Sequence, residues 1–228
     1  AHRAERVRTA LRRRNTVTEA IYESGFNSNG RFYAASSRML GMRPKSFRKG
    51  GAGESIRFAI GSCSLGSILV AASEKGVCAI FLGASPRALA GELHDRFPKA
   101  RLIRGDKKFE GDVARVIRFV DAPRIGLDLP LDVRGTAFQR RVWNALRAIP
   151  YGQLWSYRGL ASRVGGVQYA RAVGGAVGAN PLPIVLPCHR VIAQDASIGG
   201  FSCGLPAKRR LLALEGSLSR LRSSDRNR

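Results

Sequence analysis

The sequence is poor in acidic residues and has no long apolar run. Its 228 residues include 16 Asp and Glu against 39 Lys and Arg, which gives a formal net charge of +23 at pH 7. No stretch approaches the roughly 18 apolar residues of a membrane-spanning helix, and no signal peptide opens the chain. A positive excess attracts polyanions, and the basic residues are spread along the chain, so nucleic acid is favoured over a membrane as partner. The alternative is a basic surface that is only solvated.

The sequence has only four cysteines, and they are widely separated. Cys63, Cys78, Cys188 and Cys203 form no C-x-x-C pair. This spacing disfavours zinc-ribbon and thioredoxin-type sites, and no metal is expected. Without a secretory signal a disulfide framework is not expected, which favours a reducing cytoplasm. Cys63 and Cys78 lie in apolar runs, so we predict that both are core residues.

The N-terminal residues 1–50 are predicted to be helical, and they are rich in basic side chains. One helix is expected through Ala20–Ser24 with Gly25 at its end, and a second from residues 27–28 to Gly41. Two helices joined by a short glycine-containing turn fit a helix-turn-helix, although an ordinary helical hairpin has the same pattern.

After a Gly-Ala-Gly linker, the composition from Ile56 becomes typical of strands. Two β-branched runs punctuated by glycine predict a small antiparallel sheet. Apolar residues at helical spacing then predict helices at Pro86–Arg96 and Phe109–Val120, and residues 128–130 predict an extended linker. The sequence therefore predicts the α+β class.

The segment from residue 133 onward is predicted to be mostly helical. Helices are expected after Thr136, over Tyr157–Val164 and over residues 168–178, with a glycine pair between the last two. The last helix carries Gly174 and Gly175, although each glycine in a helix costs about 1 kcal/mol. Two explanations remain open: close approach of a partner such as DNA, or tight packing of two helices.

Cys188 is the candidate reactive residue. It follows an apolar run over residues 184–186, which we predict to be a strand, and Arg190 nearby adds charge that favours a thiolate. His189 cannot contact the Cys188 sulfur directly if the two point in different directions, so a water is expected between them. Glu215 is the candidate carboxylate that orients the imidazole. The alternatives are a buried core cysteine and a solvated helix end.

Four segments of the chain carry a specific resemblance; they read IPYGQLWSYRGLA, ARAVGGAVGANP, NPLPIVLPCHRVI and GLPAKRRLLALEG. In order and spacing they resemble the signature of the O6-methylguanine-DNA methyltransferases over roughly residues 55–216. Residues 16–50 resemble the second helix-turn-helix of an AraC-type transcription factor. The whole chain is therefore similar to the C-terminal part of bifunctional Ada-type regulators.

The resemblance implies a suicide methyltransferase that moves an alkyl group from DNA to Cys188. His189 is then the general base acting through water, Glu215 orients it, and Asn180 joins the recognition helix to the active-site strand. Tyr157 is expected to press on the target nucleotide and to help protonate the leaving guanine. The other expected contacts with DNA or substrate are Arg171, which enters the stack, Ser202, which donates to the guanine oxygen, Phe201, Arg190, Gly174 and Gly175.

The resemblance also implies an architecture and partners. The expected parts are a partial AraC-type unit (1–50), an RNase H-like subdomain (54–130), a winged-helix-like DNA-binding and alkyl-acceptor domain (133–216) and a disordered basic tail (217–228). The expected partner is double-stranded DNA containing O6-alkylguanine, with O4-methylthymine a second substrate and promoter DNA a second partner. The expected protein is a monomer of the bacterial cytoplasm, associated with the nucleoid, without metal or organic cofactor. No four-cysteine zinc domain of the kind that opens such regulators is present, so no phosphotriester sensing is expected.

Four positions depart from the family pattern, and two other functions stay open. Val167 stands where proline is usual, Tyr169 where a small residue is usual, Phe201 where tyrosine is common and Cys203 where glycine is common. The open alternatives are a DNA-binding regulator with a degenerate repair domain and a thiol hydrolase that uses the same Cys-His-Glu set. Turnover separates a hydrolase from a suicide acceptor.

Overall fold

The computed structural model describes Val7, Ala10, residues 17–26, Phe32 and residues 53–221. In the N-terminal part, helix α1 spans Val17–Glu23 and Gly25 follows it at a φ of +76°, which confirms the first predicted helix. The predicted second helix lies outside the described residues except for Phe32. The ring of Phe32 packs edge-on against Phe26, with centroids 5.3 Å apart.

A four-stranded mixed sheet forms the first half of the described chain. The strands are β1 (Ser55–Cys63), β2 (Gly66–Ser73), β3 (Gly76–Gly83) and β4 (Arg101–Arg104). Their order is β3-β2-β1-β4; β2 is antiparallel to both β1 and β3, and β4 is parallel to β1. The predicted antiparallel sheet is therefore confirmed for β1 to β3. The parallel strand β4 was not predicted, because it has only two apolar residues between two arginines, which is typical of a short charged edge strand.

Two helices cover the sheet, one on each face. Helix α2 (Pro86–Arg96) begins at a Ser85 cap, and helix α3 (Lys107–Asp121) begins at an Asp106 cap. Successive residues of a strand point to opposite faces. In β2, Leu69 therefore packs with the apolar residues of α2, while Ile68 packs with those of α3. The α3 side of this core continues without a break into the helical segment that follows.

The second half is mostly helical, as predicted. Its elements are α4 (Ala137–Arg147), β5 (Trp155–Ser156), α5 (Tyr157–Val164), α6 (Ala170–Gly178), β6 (Val191–Ile192) and α7 (Leu205–Leu214), with β5 parallel to β6. Helix α4 starts with a capping box between Thr136 and Gln139, and Gly165 ends α5 at a φ of +147°. The indole Nε1 of Trp143 in α4 donates to the Ala176 carbonyl of α6 over 2.8 Å, which fixes these two helices together.

Two predicted boundaries differ from the structure. Residues 184–185 form a turn, in which Ile184 has a φ of +77°, between Pro183 and Leu186, which pair as an isolated bridge. The prolines at 183 and 187 lack the N–H groups that a regular strand ladder needs. The predicted tail does not start at Ser217, since Ser217 and Leu221 are buried and Leu221 packs against Leu212. Residues 222–228 lie outside the described part. None of the helices described is both long and apolar enough to span a bilayer.

Candidate active site around Cys188

Cys188 opens a short 3₁₀ turn and is almost completely buried, with 3% of its surface exposed. The amide nitrogen of Asn180 lies 3.0 Å from the Cys188 sulfur and also donates to the Leu186 carbonyl over 2.8 Å. The amide oxygen of Asn180 accepts from the Leu182 N–H. Asn180, just beyond α6, thus holds the loop that leads to Cys188 and points a donor at its sulfur.

His189 is fully buried and is oriented by Glu215. Its Nε2 lies 2.9 Å from the Glu215 Oε1. An ionised carboxylate only accepts hydrogen bonds, so we assign the proton to Nε2, which leaves a free lone pair on Nδ1. Among the described residues, no group hydrogen-bonds to Nδ1. Nδ1 is therefore the basic atom of this ring.

Glu215 caps the end of α7 and is buried, so its reading as a solvated helix end was wrong. Besides His189, its carboxylate accepts from the Arg190 guanidinium at 2.8–3.1 Å and from the Gly152 N–H at 3.3 Å. Burial alone raises the pKa of Glu215, but the hydrogen bonds from His189 and Arg190 outweigh it and lower the pKa to about 2. The carboxylate is therefore ionised at neutral pH.

Arg190 is committed to the interior rather than to DNA. Its Nη1 donates to the Ile149 carbonyl over 2.7 Å, and its other nitrogens bind Glu215. Only 8% of the residue is exposed. This placement corrects the predicted role of Arg190 as a DNA or substrate contact, because a buried guanidinium needs its carboxylate partner. Its structural role is to hold Glu215 beside His189.

The resting protonation states suit general-base activation. Burial raises the pKa of the Cys188 thiol, and the Asn180 hydrogen bond and the charge of Lys208 oppose that rise. Burial lowers the pKa of His189, only partly offset by its hydrogen bond to Glu215. A protonated thiol thus adjoins a neutral imidazole, which is the pair needed before proton abstraction.

Tyr157, the first residue of α5, lies between α6 and the loop after β6. A methyl group placed on Gly174 of α6 would lie 3.9 Å from the Tyr157 ring, and one on Gly199 of the loop would lie 3.5 Å from it. Burial, and then the negative charge of a Cys188 thiolate, raise the pKa of Tyr157. Tyr157 therefore keeps its proton and is a hydrogen-bond donor beside the cysteine.

The remaining predicted residues surround this group. The Phe201 ring meets the His189 ring edge-on, with centroids 6.3 Å apart. Ser202 is exposed and lies with its hydroxyl 3.8 Å from the Cys203 sulfur. Arg171 is exposed on the first turn of α6, and Gly175 is half-buried further along that helix. The structure thus brings Asn180, Tyr157 and Phe201 to the Cys-His-Glu set and leaves Arg171 and Ser202 at the surface.

Sequence reasoning missed Lys208. This lysine is fully buried, and its Nζ donates to the carbonyl of Val191 in β6, at 2.7 Å, and to that of Gly200, directly before Phe201 in the following loop, at 3.3 Å. Burial lowers the pKa of Lys208 to about 8, while the charge of Cys188 acts to raise it. A signal was present, because Lys208 precedes Leu211, Leu212 and Glu215 by three, four and seven residues and so shares their buried helix face.

The buried carboxylate gives a prediction for acid stability. The pKa of Glu215 lies near 2 in the folded protein against a usual value of 4.5. The stabilisation is therefore complete above about pH 4.5 and is lost as the pH falls toward 2; at 1.36 kcal/mol per unit it amounts to roughly 3 kcal/mol. Glu215→Gln should lose stability at pH 7 and show a flatter decline between pH 4.5 and 2 in urea unfolding.

The matched control is Glu110→Gln, because Glu110 is exposed in the first turn of α3. It should keep the acid sensitivity of the parent protein. If Glu215→Gln declined as steeply as the parent over that range, the low pKa of the buried carboxylate would not be the source of the acid sensitivity.

The chain is similar to known proteins over most of its length. Residues 137–217 match the family described as 6-O-methylguanine DNA methyltransferase, DNA binding domain. The chain is 44% identical over 215 residues to the regulatory protein ada of Salmonella typhimurium, covering 94% of this chain and 61% of that relative. The chain therefore spans less than two thirds of the length of that protein.

Shorter relatives are matched more completely. An inducible methylated-DNA–protein-cysteine methyltransferase of Bacillus subtilis is 38% identical over 150 residues, which cover 64% of this chain and 82% of that protein. The structure of OGT of Mycobacterium tuberculosis in complex with DNA superposes with a TM-score of 0.59 at 32% identity, covering 74% of this chain and 96% of that one. By this identity and coverage, the chain belongs to the methylated-DNA–protein-cysteine methyltransferase family, which is the O6-methylguanine-DNA methyltransferase family.

Proposed function

We propose that this chain repairs DNA by moving the methyl group of O6-methylguanine irreversibly to the sulfur of Cys188. The observation that carries the proposal is the buried set in which Asn180 donates to the Cys188 sulfur and Glu215 holds His189 with a free Nδ1 lone pair. The family relatives named for the same reaction support it, as does the structural neighbour bound to DNA.

The chemistry balances without a cofactor. His189 takes the Cys188 proton on Nδ1 through a bridging water, and the thiolate attacks the methyl carbon. The carbon–sulfur bond forms as the carbon–oxygen bond breaks, and its electron pair stays on the guanine, which Tyr157 helps to protonate. The product is guanine and an S-methylcysteine thioether. Because no group in the site reverses that bond, each molecule reacts once.

The DNA side of the proposal rests on α5 and α6. In a duplex the alkyl carbon is hidden, so the base must be rotated out at a cost of a few kcal/mol. Arg171 enters the stack that the base leaves, and Ser202 donates to the guanine oxygen.

We assign residues 133–216 to a winged-helix-like domain, 54–130 to an RNase H-like subdomain and 1–50 to a partial AraC-type unit. O4-methylthymine is a second substrate, and promoter DNA is a second partner. The protein is a monomer of the bacterial cytoplasm.

Gly174 separates the two explanations for the glycines of α6. A methyl group there would meet only ordinary contacts, the nearest being Tyr157 at 3.9 Å. Packing within the chain therefore does not require glycine at this position. Gly174→Ala should raise the free energy of unfolding by up to about 1 kcal/mol, because it removes a helix-interior glycine. If DNA approaches this helix closely, the same variant should bind duplex more weakly.

Both quantities are measured on one preparation, by urea unfolding and by fluorescence anisotropy with a labelled duplex. Gly91→Ala in α2 is the control, because a methyl group there also has open space. It should gain stability without losing affinity. Unchanged duplex affinity in a stabilised Gly174→Ala protein would remove this helix from the DNA contact.

The test of the proposed function is the number of methyl groups accepted per chain. The same Cys-His-Glu set suits a thiol hydrolase. In a hydrolase, water cleaves the thioester on the acylated cysteine and the thiol is regenerated, whereas water does not cleave a thioether. With an excess of duplex containing O6-methylguanine, transfer should stop at one methyl group per chain. Continued demethylation by the same molecules would favour the hydrolase.

A further inference from the structure

An exposed apolar ridge, formed by Val167 and Tyr169, lies next to helix α6, which carries Arg171. Val167 and Tyr169, in the 3₁₀ turn just before α6, are 47% and 46% exposed. They are two of the six large apolar side chains exposed in the described part of the chain, and they lie two residues apart. Soluble proteins tolerate single exposed apolar residues, but a local cluster indicates a binding surface.

The ridge is held in place by neighbouring elements. The Tyr169 ring packs beside Phe138 of α4, with centroids 6.3 Å apart, and a methyl group on Gly165 would touch it at 3.5 Å. The Arg141 guanidinium lies over the Phe138 ring at 5.6 Å. Tyr169 therefore packs against Phe138 on one side, remains about half exposed, and lies near the Arg141 guanidinium.

The charge around the ridge complements a polyanion. Residues 133–194, which include α4, α5 and α6, contain eight arginines and no Asp, Glu or Lys. Arg140, Arg141 and Arg171 are exposed on the elements that flank the ridge. An apolar side chain beside exposed arginines fits duplex DNA, since sugars and base edges in the grooves offer apolar surface between the phosphates.

We propose that Val167 and Tyr169, supported by Phe138, form an apolar contact with the DNA duplex beside the damaged base. This inference rests on the proposed function for its partner and adds a contact that binds through burial of apolar surface rather than through charge.

Duplex affinity and its salt dependence test the contact. The full chain and its variants are titrated with an undamaged labelled duplex at several salt concentrations. Tyr169→Ala should bind about fivefold more weakly or worse, which corresponds to about 1 kcal/mol at roughly 1.4 kcal/mol per factor of ten, the scale expected for partial burial of a large apolar side chain. Tyr169→Phe should keep the parental affinity. The slope of log affinity against log salt should not change, because no phosphate contact is removed.

The control is Ile125→Ala, which removes an apolar side chain that is 64% exposed outside the arginine-rich segment, and it should bind as the parent does. Unchanged or tighter binding by Tyr169→Ala overturns the inference, as does an equal loss in Tyr169→Phe. A salt slope lowered by about 0.9 would instead indicate a phosphate contact and also overturns it. If the parent binds no duplex and accepts no methyl group, the proposed function itself fails; if it does both, only the ridge is at issue.

Discussion

Cys188→Ala is expected to abolish methyl transfer completely while leaving duplex binding intact. The alanine removes the only atom that attacks the methyl carbon, and it leaves the exposed arginines of α4, α5 and α6 unchanged. Transfer is measured with a duplex carrying a labelled methyl group on guanine, and binding is measured by anisotropy. A residual transfer rate in this variant would place the acceptor elsewhere.

The other thiols provide the matched controls. Cys78 is buried in the sheet, and burial raises its pKa to about 11. Cys63 is only half-buried, so the prediction that both are core residues holds fully for Cys78 alone. Burial also raises the pKa of Cys203 to about 12. Alanine at any of these three positions should leave transfer intact in a folded protein, and its loss in Cys63→Ala would show that the wrong thiol was assigned.

Arg171→Ala is expected to slow repair of a duplex by one to several powers of ten. If Arg171 fills the gap left by the extruded base, its loss makes base extrusion less favourable by a few kcal/mol. Each 1.4 kcal/mol or so corresponds to a factor of about ten in rate. If Arg171 is only a surface residue without a DNA contact, the substitution should change the free energy of unfolding by no more than about 0.5 kcal/mol and leave the repair rate unchanged.

Free O6-methylguanine supplies the control within the same variant. The free base needs no extrusion, so its slow reaction with Cys188 should barely change in Arg171→Ala. Both rates are measured as methyl transfer to the protein. Equal slowing on duplex and free base would assign Arg171 to the chemistry or to folding rather than to base extrusion.

Much of the fold was predictable because local signals agree with it. The helix expected after Thr136 begins there, and Thr136 and Ser156 cap α4 and α5 in the structure. The predicted helices at Pro86–Arg96 and Tyr157–Val164 have the observed bounds. Strand β4 was not found, because a four-residue charged edge has no periodic signal. The turn at Ile184 was missed because its apolar residues are typical of strands, although the flanking prolines cannot donate to a strand ladder.

The candidate site was predictable in its members but not in its electrostatics. A motif identifies Cys188 and His189, and the helical phase of α7 places Glu215 on the buried face. The sequence does not show which charges lose their water, so Arg190 was assigned to DNA and Lys208 was overlooked. Both are decided by tertiary burial, since a charge in the interior is stable only with partners that long-range packing supplies.

The most direct test of the central claim is to locate the methyl group after reaction. The protein is incubated with a duplex containing a single O6-methylguanine, and both the intact chain and its peptides are weighed by mass spectrometry. We expect one methyl group to be gained per chain, on the peptide that contains Cys188, and the DNA to be left with ordinary guanine. Repaired DNA beside an unmodified protein, or a methyl group on Cys63, Cys78 or Cys203, would contradict it.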